Sequence, residues 1–181
     1  MKLANKFIIS MPNMVDPFFE KKVVLICEHN NQSTMGFVIN QKTKSTVIEV
    51  FEQLFIDCPE HCTSSVYFGG PVSEETGFML HEENLDFKST MKIGQDIYLT
   101  SSIDILESIS ISKLKGRWKF ILGYSGWVNQ QLEQEISDGS WLISESLNDL
   151  IFSNSDSEIW QNAISELGIS DPNSIADIGH A

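Results

Sequence analysis

Several consecutive strand-like segments, with helices interposed irregularly, predict an α+β fold rather than a doubly wound sheet, in which strand and helix would alternate strictly. Residues 23–27 are apolar at every position, so both faces of that strand need cover, as for a central strand. Two helical stripes carry their own capping signals. At 181 residues the chain suits one compact domain, and we expect residues 1–181 to form a single domain.

Along the chain, strands are expected at residues 6–11, 22–29 and 35–40, with turn chemistry at Asp16-Pro17 and Asn30-Asn31. Thr46 and Glu49 form a capping box that opens a helix with Val47, Val50, Phe51 and Leu54 on one stripe. A polar loop at 57–64 precedes strands at 66–68, 77–81 and 97–100, and residues 103–111 read as a short helix. A strand at 118–124 leads to a helix from Gly126 to Ile136, on which Val128, Leu132 and Ile136 recur every four residues. A short strand pair is expected at 141–143 and 150–152. The last helix opens with a capping box at Ser155 and Glu158, buries Ile159, Trp160, Ala163, Ile164 and Leu167, and closes on a left-handed Gly168.

The 25 acidic residues outnumber 12 basic ones, for a formal net charge of -13, and Arg117 is the one arginine. Residues 120–181 hold ten acids and no lysine or arginine. Such a field repels phosphate backbones, so direct nucleic-acid binding is disfavoured. The first fourteen residues lack the long apolar core and cleavage site of a signal peptide. No apolar run reaches the ~20 residues that span a bilayer. Three cysteines in a domain of this size fit a reducing compartment. A cytoplasmic location without membrane association is expected.

Met11-Pro12, Asp16-Pro17-Phe18-Phe19, Cys27-Glu28-His29-Asn30, Met35-Gly36-Phe37-Val38-Ile39-Asn40, Gly69-Gly70-Pro71-Val72 and Gly123-Tyr124-Ser125-Gly126-Trp127 occur in that order, followed by Gln131-Leu132-Glu133 and Gly179-His180-Ala181. Their order and spacing resemble the AlgH/YqgE family of bacterial proteins over nearly the whole chain. The resemblance implies a bifurcated sheet, partly closed as a small barrel and surrounded by helices. It also brings a transcriptional-regulator label, but no established catalytic residues. Lys42 stands where the pattern usually has proline, and Ser125 where alanine is common.

Ser125 at a predicted strand-to-helix turn invites comparison with a nucleophile elbow, and Asp171 or Asp177 with His180 would complete a Ser, Asp, His order. Trp127, however, occupies the place of the small glycine in G-x-S-x-G, so a helix cap is the favoured reading. Cys58-Pro59-Glu60-His61-Cys62 with Cys27 and His29 has zinc-ligand chemistry, but a Cys-x-His pair on a strand has no turn to wrap a metal, and no metal site is expected. Cys27 reads as a small core hydrophobe; Lys21 and Lys22 would lower its pKa only if they lay close in space. Gly69, Gly70 and Pro71 suit a tight turn, with an anion nest as the alternative. His29, His81 and His180 lie near element or chain ends, where imidazoles serve pockets. No phosphate-loop or dinucleotide pattern is present, so no cofactor is expected.

The candidate binding residues are thus Cys27, His29, Asn40, Gly69, Gly70, Pro71, His81, Gly123, Ser125, Trp127 and His180. No catalytic constellation is complete. The reading is a non-enzymatic binding or regulatory module acting through a protein or small-molecule partner. The alternatives are a serine hydrolase using Ser125 and a regulator that contacts DNA.

Overall fold

The structure, a computed structural model, describes residues 2–59, 64–145, 148–152 and 155–169. The chain begins with strand β1 (Phe7–Ser10), a 3-10 turn at Pro17–Phe19, β2 (Val23–His29), β3 (Ser33–Val38), β4 (Lys42–Thr46) and helix α1 (Val47–Gln53). There follow β5 (Ser65–Phe68), β6 (Val72–His81), β7 (Thr90–Gly94), β8 (Ile97–Thr100) and α2 (Asp104–Ser110). Then come β9 (Trp118–Val128), α3 (Gln131–Ser137), β10 (Trp141–Ser144), α4 (Asn148–Ile151) and α5 (Asp156–Glu166). The expected α+β class is borne out.

Two compact units emerge, residues 1–41 with 125–181, and residues 42–124. In the first, β10, β1, β2, β3 and the last four residues of β9 pair antiparallel, with Ile8 opposite both Val24 and Ile143, and Thr34 opposite Trp127. Residues 23–27 are buried throughout, as their apolar run on both faces requires. Ile8, Val24, Val38, Trp127, Leu132 and Trp141 share its core. Asp16 accepts from the Phe18 amide at 2.9 Å to cap the 3-10 turn, and Asn30 Oδ1 accepts from the Gln32 and Ser33 amides in the turn between β2 and β3.

In the second unit the order is β4, β5, β9, β6, β8, β7, all antiparallel except the β5 and β9 pair. Helices α1 and α2 bury Val47, Phe51, Ile105, Leu106 and Ile109 against Met79 and Phe120 of the sheet. Full burial of an aliphatic side chain of this size contributes about 1.5–3 kcal/mol. The capping box that opens α1 is present: Thr46 Oγ1 accepts from the Glu49 amide, and the Thr46 amide donates to Glu49 Oε2 at 2.9 Å.

Five expectations are corrected. Leu167, expected to be buried with the stripe of α5, stands at the helix end and is 36% exposed. No helix starts at Gly126: β9 continues through Val128, then Asn129 and Gln130, both with positive φ, turn the chain into α3 at Gln131. Backbone pairing with β3 holds residues 125–128 extended, whatever their helical spacing. Residues 150–152, expected as a strand, fall on α4 and its end. Ser155 stands at the start of α5, but its side chain makes no capping bond; its carbonyl accepts from the Glu158 amide instead. Strands β4 and β7 were not expected, since their polar sequences carry little periodic apolar signal and each pairs on one side alone among the described residues. Gly168 does adopt a left-handed conformation, at φ 79°.

Candidate functional site

A cleft of about 570 Å³ lies wholly within the second unit. Helix α1 supplies one wall through Val50 and Leu54, and the start of α2 supplies the other through Ile103 and Leu106. Gly77 of β6 with Phe120 and Leu122 of β9 forms the floor. Glycine is needed there for space, because a Cβ on residue 77 would sit 2.7 Å from Phe120 Cζ. Ile103 is 49% and Leu54 42% exposed, so apolar surface remains open to solvent. Glu74 and Glu75, both exposed, are the charged side chains of the lining.

The polar side of the cleft is tied down. Ser102 Oγ donates to Asp104 Oδ1 at 2.5 Å and accepts from the Ser89 amide, while the Lys88 amide donates to Asp104 Oδ2 at 2.9 Å. Burial works in the opposite direction, yet these bonds and the Lys88 charge hold the Asp104 carboxyl below its ordinary range. Beneath, His81 is fully buried with its ring on Tyr98. Its Nδ1–H donates to the Glu83 carbonyl at 2.8 Å, which leaves Nε2 to accept from Thr100 Oγ1 at 2.8 Å; Thr100 in turn bonds Thr90 at 2.7 Å. Burial pushes the His81 pKa down, and the Glu83 carbonyl only partly offsets this. Thr100 beside His81 has the outline of a nucleophile and base. Thr100, however, is 1% exposed, and the imidazole has a carbonyl rather than a carboxylate behind it, which makes it a weak base.

The sequence-selected residues do not converge on one site. In the second unit, Gly69, Gly70 and Pro71 form the turn between β5 and β6; the Gly69 amide donates to the Leu122 carbonyl at 2.8 Å and is thereby occupied. Gly123 has φ 66°, and a Cβ there would collide with the Gly70 carbonyl oxygen, so these two glycine segments explain one another. His81 serves the buried network just described.

In the first unit, Asn40 Oδ1 accepts from the Val23 amide and its Nδ2 donates to the Lys21 carbonyl, which holds the entry to β2. Cys27 is buried at a β-bulge; its thiol contacts the Leu25 carbonyl, and burial pushes its pKa upward, opposite to the shift a reactive thiol needs. Ser125 is 1% exposed in the middle of β9 opposite Gly36, not at an elbow. His29 Nδ1 lies in hydrogen-bond contact with Thr34 Oγ1 at 2.7 Å while Nε2 faces Glu133 Oε1 at 3.4 Å. That triad-like order was not legible in the sequence, and its hydroxyl belongs to Thr34, which is only 5% exposed. Trp127 Nε1 and Trp141 Nε1 both donate to Glu135 Oε2, at 3.0 and 2.8 Å, and Phe19 stacks on Trp127. Asp171, Asp177, His180, His61 and Cys62 lie outside the described residues, while Cys58 is half-buried. Among the described residues no group of three metal-ligating side chains comes together, and no helix is long and apolar enough to cross a membrane.

The cleft itself was missed because its apolar residues follow the same periodic pattern as core residues. The available signal was the run Leu54-Phe55-Ile56 beyond the end of α1, where Phe55 is 98% exposed.

Comparison with known proteins gives a consistent result. A UPF0301 protein of Photobacterium profundum is 40% identical and one of Vibrio cholerae 41% identical, each over 100% of both chains. The solution structure of the AlgH protein from Pseudomonas aeruginosa superposes with a TM-score of 0.81 at 36% identity, covering 99% of this chain and 96% of that one. A crystal structure of a Corynebacterium diphtheriae protein shares the fold, with a TM-score of 0.73 at 18% identity over 92% and 87% of the two chains. With the AlgH-like family model matching residues 7–171 as well, the chain belongs to the AlgH-like family.

Proposed function

We propose that this protein is a non-enzymatic binding module whose recognition surface is the cleft between α1 and α2. The observation that carries this reading is an open, mostly apolar concavity of about 570 Å³, within the usual range of ligand sites. Turnover is disfavoured by the chemistry around it. The one hydroxyl and imidazole pair beneath the cleft is buried and lacks an anionic partner to stabilise a protonated ring. Ser125 offers no better nucleophile, being enclosed within β9.

The test is a titration of isotopically labelled protein with a neutral apolar dye such as Nile red. Amide shifts should cluster on Gln53, Leu54, Gly77, Ile103 and Leu106. Ile103→Asp, at a half-exposed position that folding does not require to be apolar, should weaken dye binding roughly fivefold or more. Shifts elsewhere, or unchanged affinity in this variant, would refute the cleft as the recognition surface.

A further inference from the structure

We propose that the occupant of this cleft is an apolar peptide segment that carries lysine or arginine, seated with its apolar side chains on the floor and its cations against Glu74 and Glu75. The inference rests on the binding reading above and adds the chemistry of the partner. Charge complementarity supplies the first argument. Glu74 and Glu75 are the charged residues lining the cleft, and among the described residues neither forms an ion pair. An anionic ligand would meet two uncompensated carboxylates on a chain of net charge -13, whereas a cation gains from both.

The second argument is extent. Two apolar side chains that line the cleft stay exposed at its rim, Leu54 at 42% after α1 and Ile103 at 49% before α2, and Phe55, next to Leu54 in the chain, is 98% exposed. Phe55 also holds a positive φ of 56°, an uncommon backbone state for an aromatic residue. Apolar surface left open at the rim of the cavity is poorly used by a small enclosed ligand. A peptide laid between two helices, with anchors spaced along one face, uses cavity and rim together.

Fluorescence anisotropy on the full chain tests the proposal with three labelled twelve-residue peptides: an amphipathic Leu/Lys sequence, its Leu/Glu counterpart, and a Lys/Ser sequence with charge but no apolar face. The Leu/Lys peptide should bind and the other two should bind at least tenfold more weakly. Glu74→Gln with Glu75→Gln should raise its Kd about tenfold, and Ile103→Asp by a similar factor. A control pair with the same change in net charge, Glu158→Gln with Glu166→Gln on exposed positions of α5, should leave Kd within twofold. Equal losses from both pairs would mean unspecific attraction to an acidic protein and would overturn the proposal, as would Leu/Glu binding as tightly as Leu/Lys. If Nile red shifts the cleft resonances while no peptide binds, the occupant is wrong and the cleft stands. If neither ligand reaches the cleft, both readings fall.

Discussion

Buried histidine is a costly residue to charge, and His81 illustrates how a side chain with both nitrogens bonded can still depend on pH. In the neutral ring Nε2 accepts from Thr100 while Nδ1–H donates to a carbonyl; protonation would reverse the first bond and place a charge in a fully buried site. Because burial lowers its folded pKa, the unfolded chain binds the proton more readily, with an ordinary value of about 6.5. The associated stability is therefore complete above that pH and is lost as pH falls from 6.5 toward the lower folded value. Urea unfolding at pH 7.5, 6.5 and 5.5 should show a falling midpoint in the native protein and a flatter profile in His81→Gln. The carboxyls of Glu82, bonded by Arg117, and Asp104 are also held low, but they act further down, as pH falls below about 4.5. An equal decline in His81→Gln would show that another group governs this window.

Where elements meet, one carboxylate can satisfy several of them. Glu135 on α3 receives the indole N–H of Trp127 from β9 and of Trp141 from β10, while Gln131 donates to its other oxygen at 2.9 Å. Both tryptophans are 3% exposed, so removing the acceptor strands two donors away from water. Glu135→Ala should lower the unfolding free energy by about 2–6 kcal/mol, at about 1–3 kcal/mol for each of the two unsatisfied indole groups. Glu135→Gln should recover much of that loss, because its amide oxygen still faces the indoles and the Gln131 amide can turn to suit. Denaturation followed by tryptophan fluorescence reads both variants, and an Ala variant within 0.5 kcal/mol of the native protein, about the spread of ordinary surface substitutions, would show the bonds to be dispensable. The outer strands of the second unit follow a different logic. Lys42, Lys44 and Lys92 sit on β4 and β7, where charged side chains discourage pairing with another chain.

For the molecule as a whole, the decisive quantity is the excess of acid over base. Arg117, the one arginine, binds Glu82 through its Nε and Nη2 and through its backbone amide. The cation best suited to grip phosphate is thus engaged within the fold. Gel-shift assays with duplex DNA at low salt, where counterion release most favours binding, should show no retained band at micromolar protein. A salt-sensitive shift would revive direct control of transcription. The family's regulator label would then have a physical basis that the composition does not suggest.

Much of the architecture was legible because local rules agreed with it. The apolar run at residues 23–27, the capping box at Thr46 and the stripe of Ile159, Trp160, Ala163 and Ile164 each specify a structure within one short segment. Segments whose conformation depends on a distant partner were not legible. Residues 125–128 have helical spacing and become strand through β3, and the polar β4 becomes strand through β5. The site followed the same division. Candidate residues such as Asn40, Gly70, Gly123 and Ser125 stood out by type, but their partners assign them to turns and pairing. Composition and local patterning were enough for the α+β class, the family resemblance and the sign of the electric field. Which apolar residues line an open cleft and which fill a core emerged with the folded structure, because exposure depends on what packs against a side chain across the fold, and periodicity along the chain does not record it.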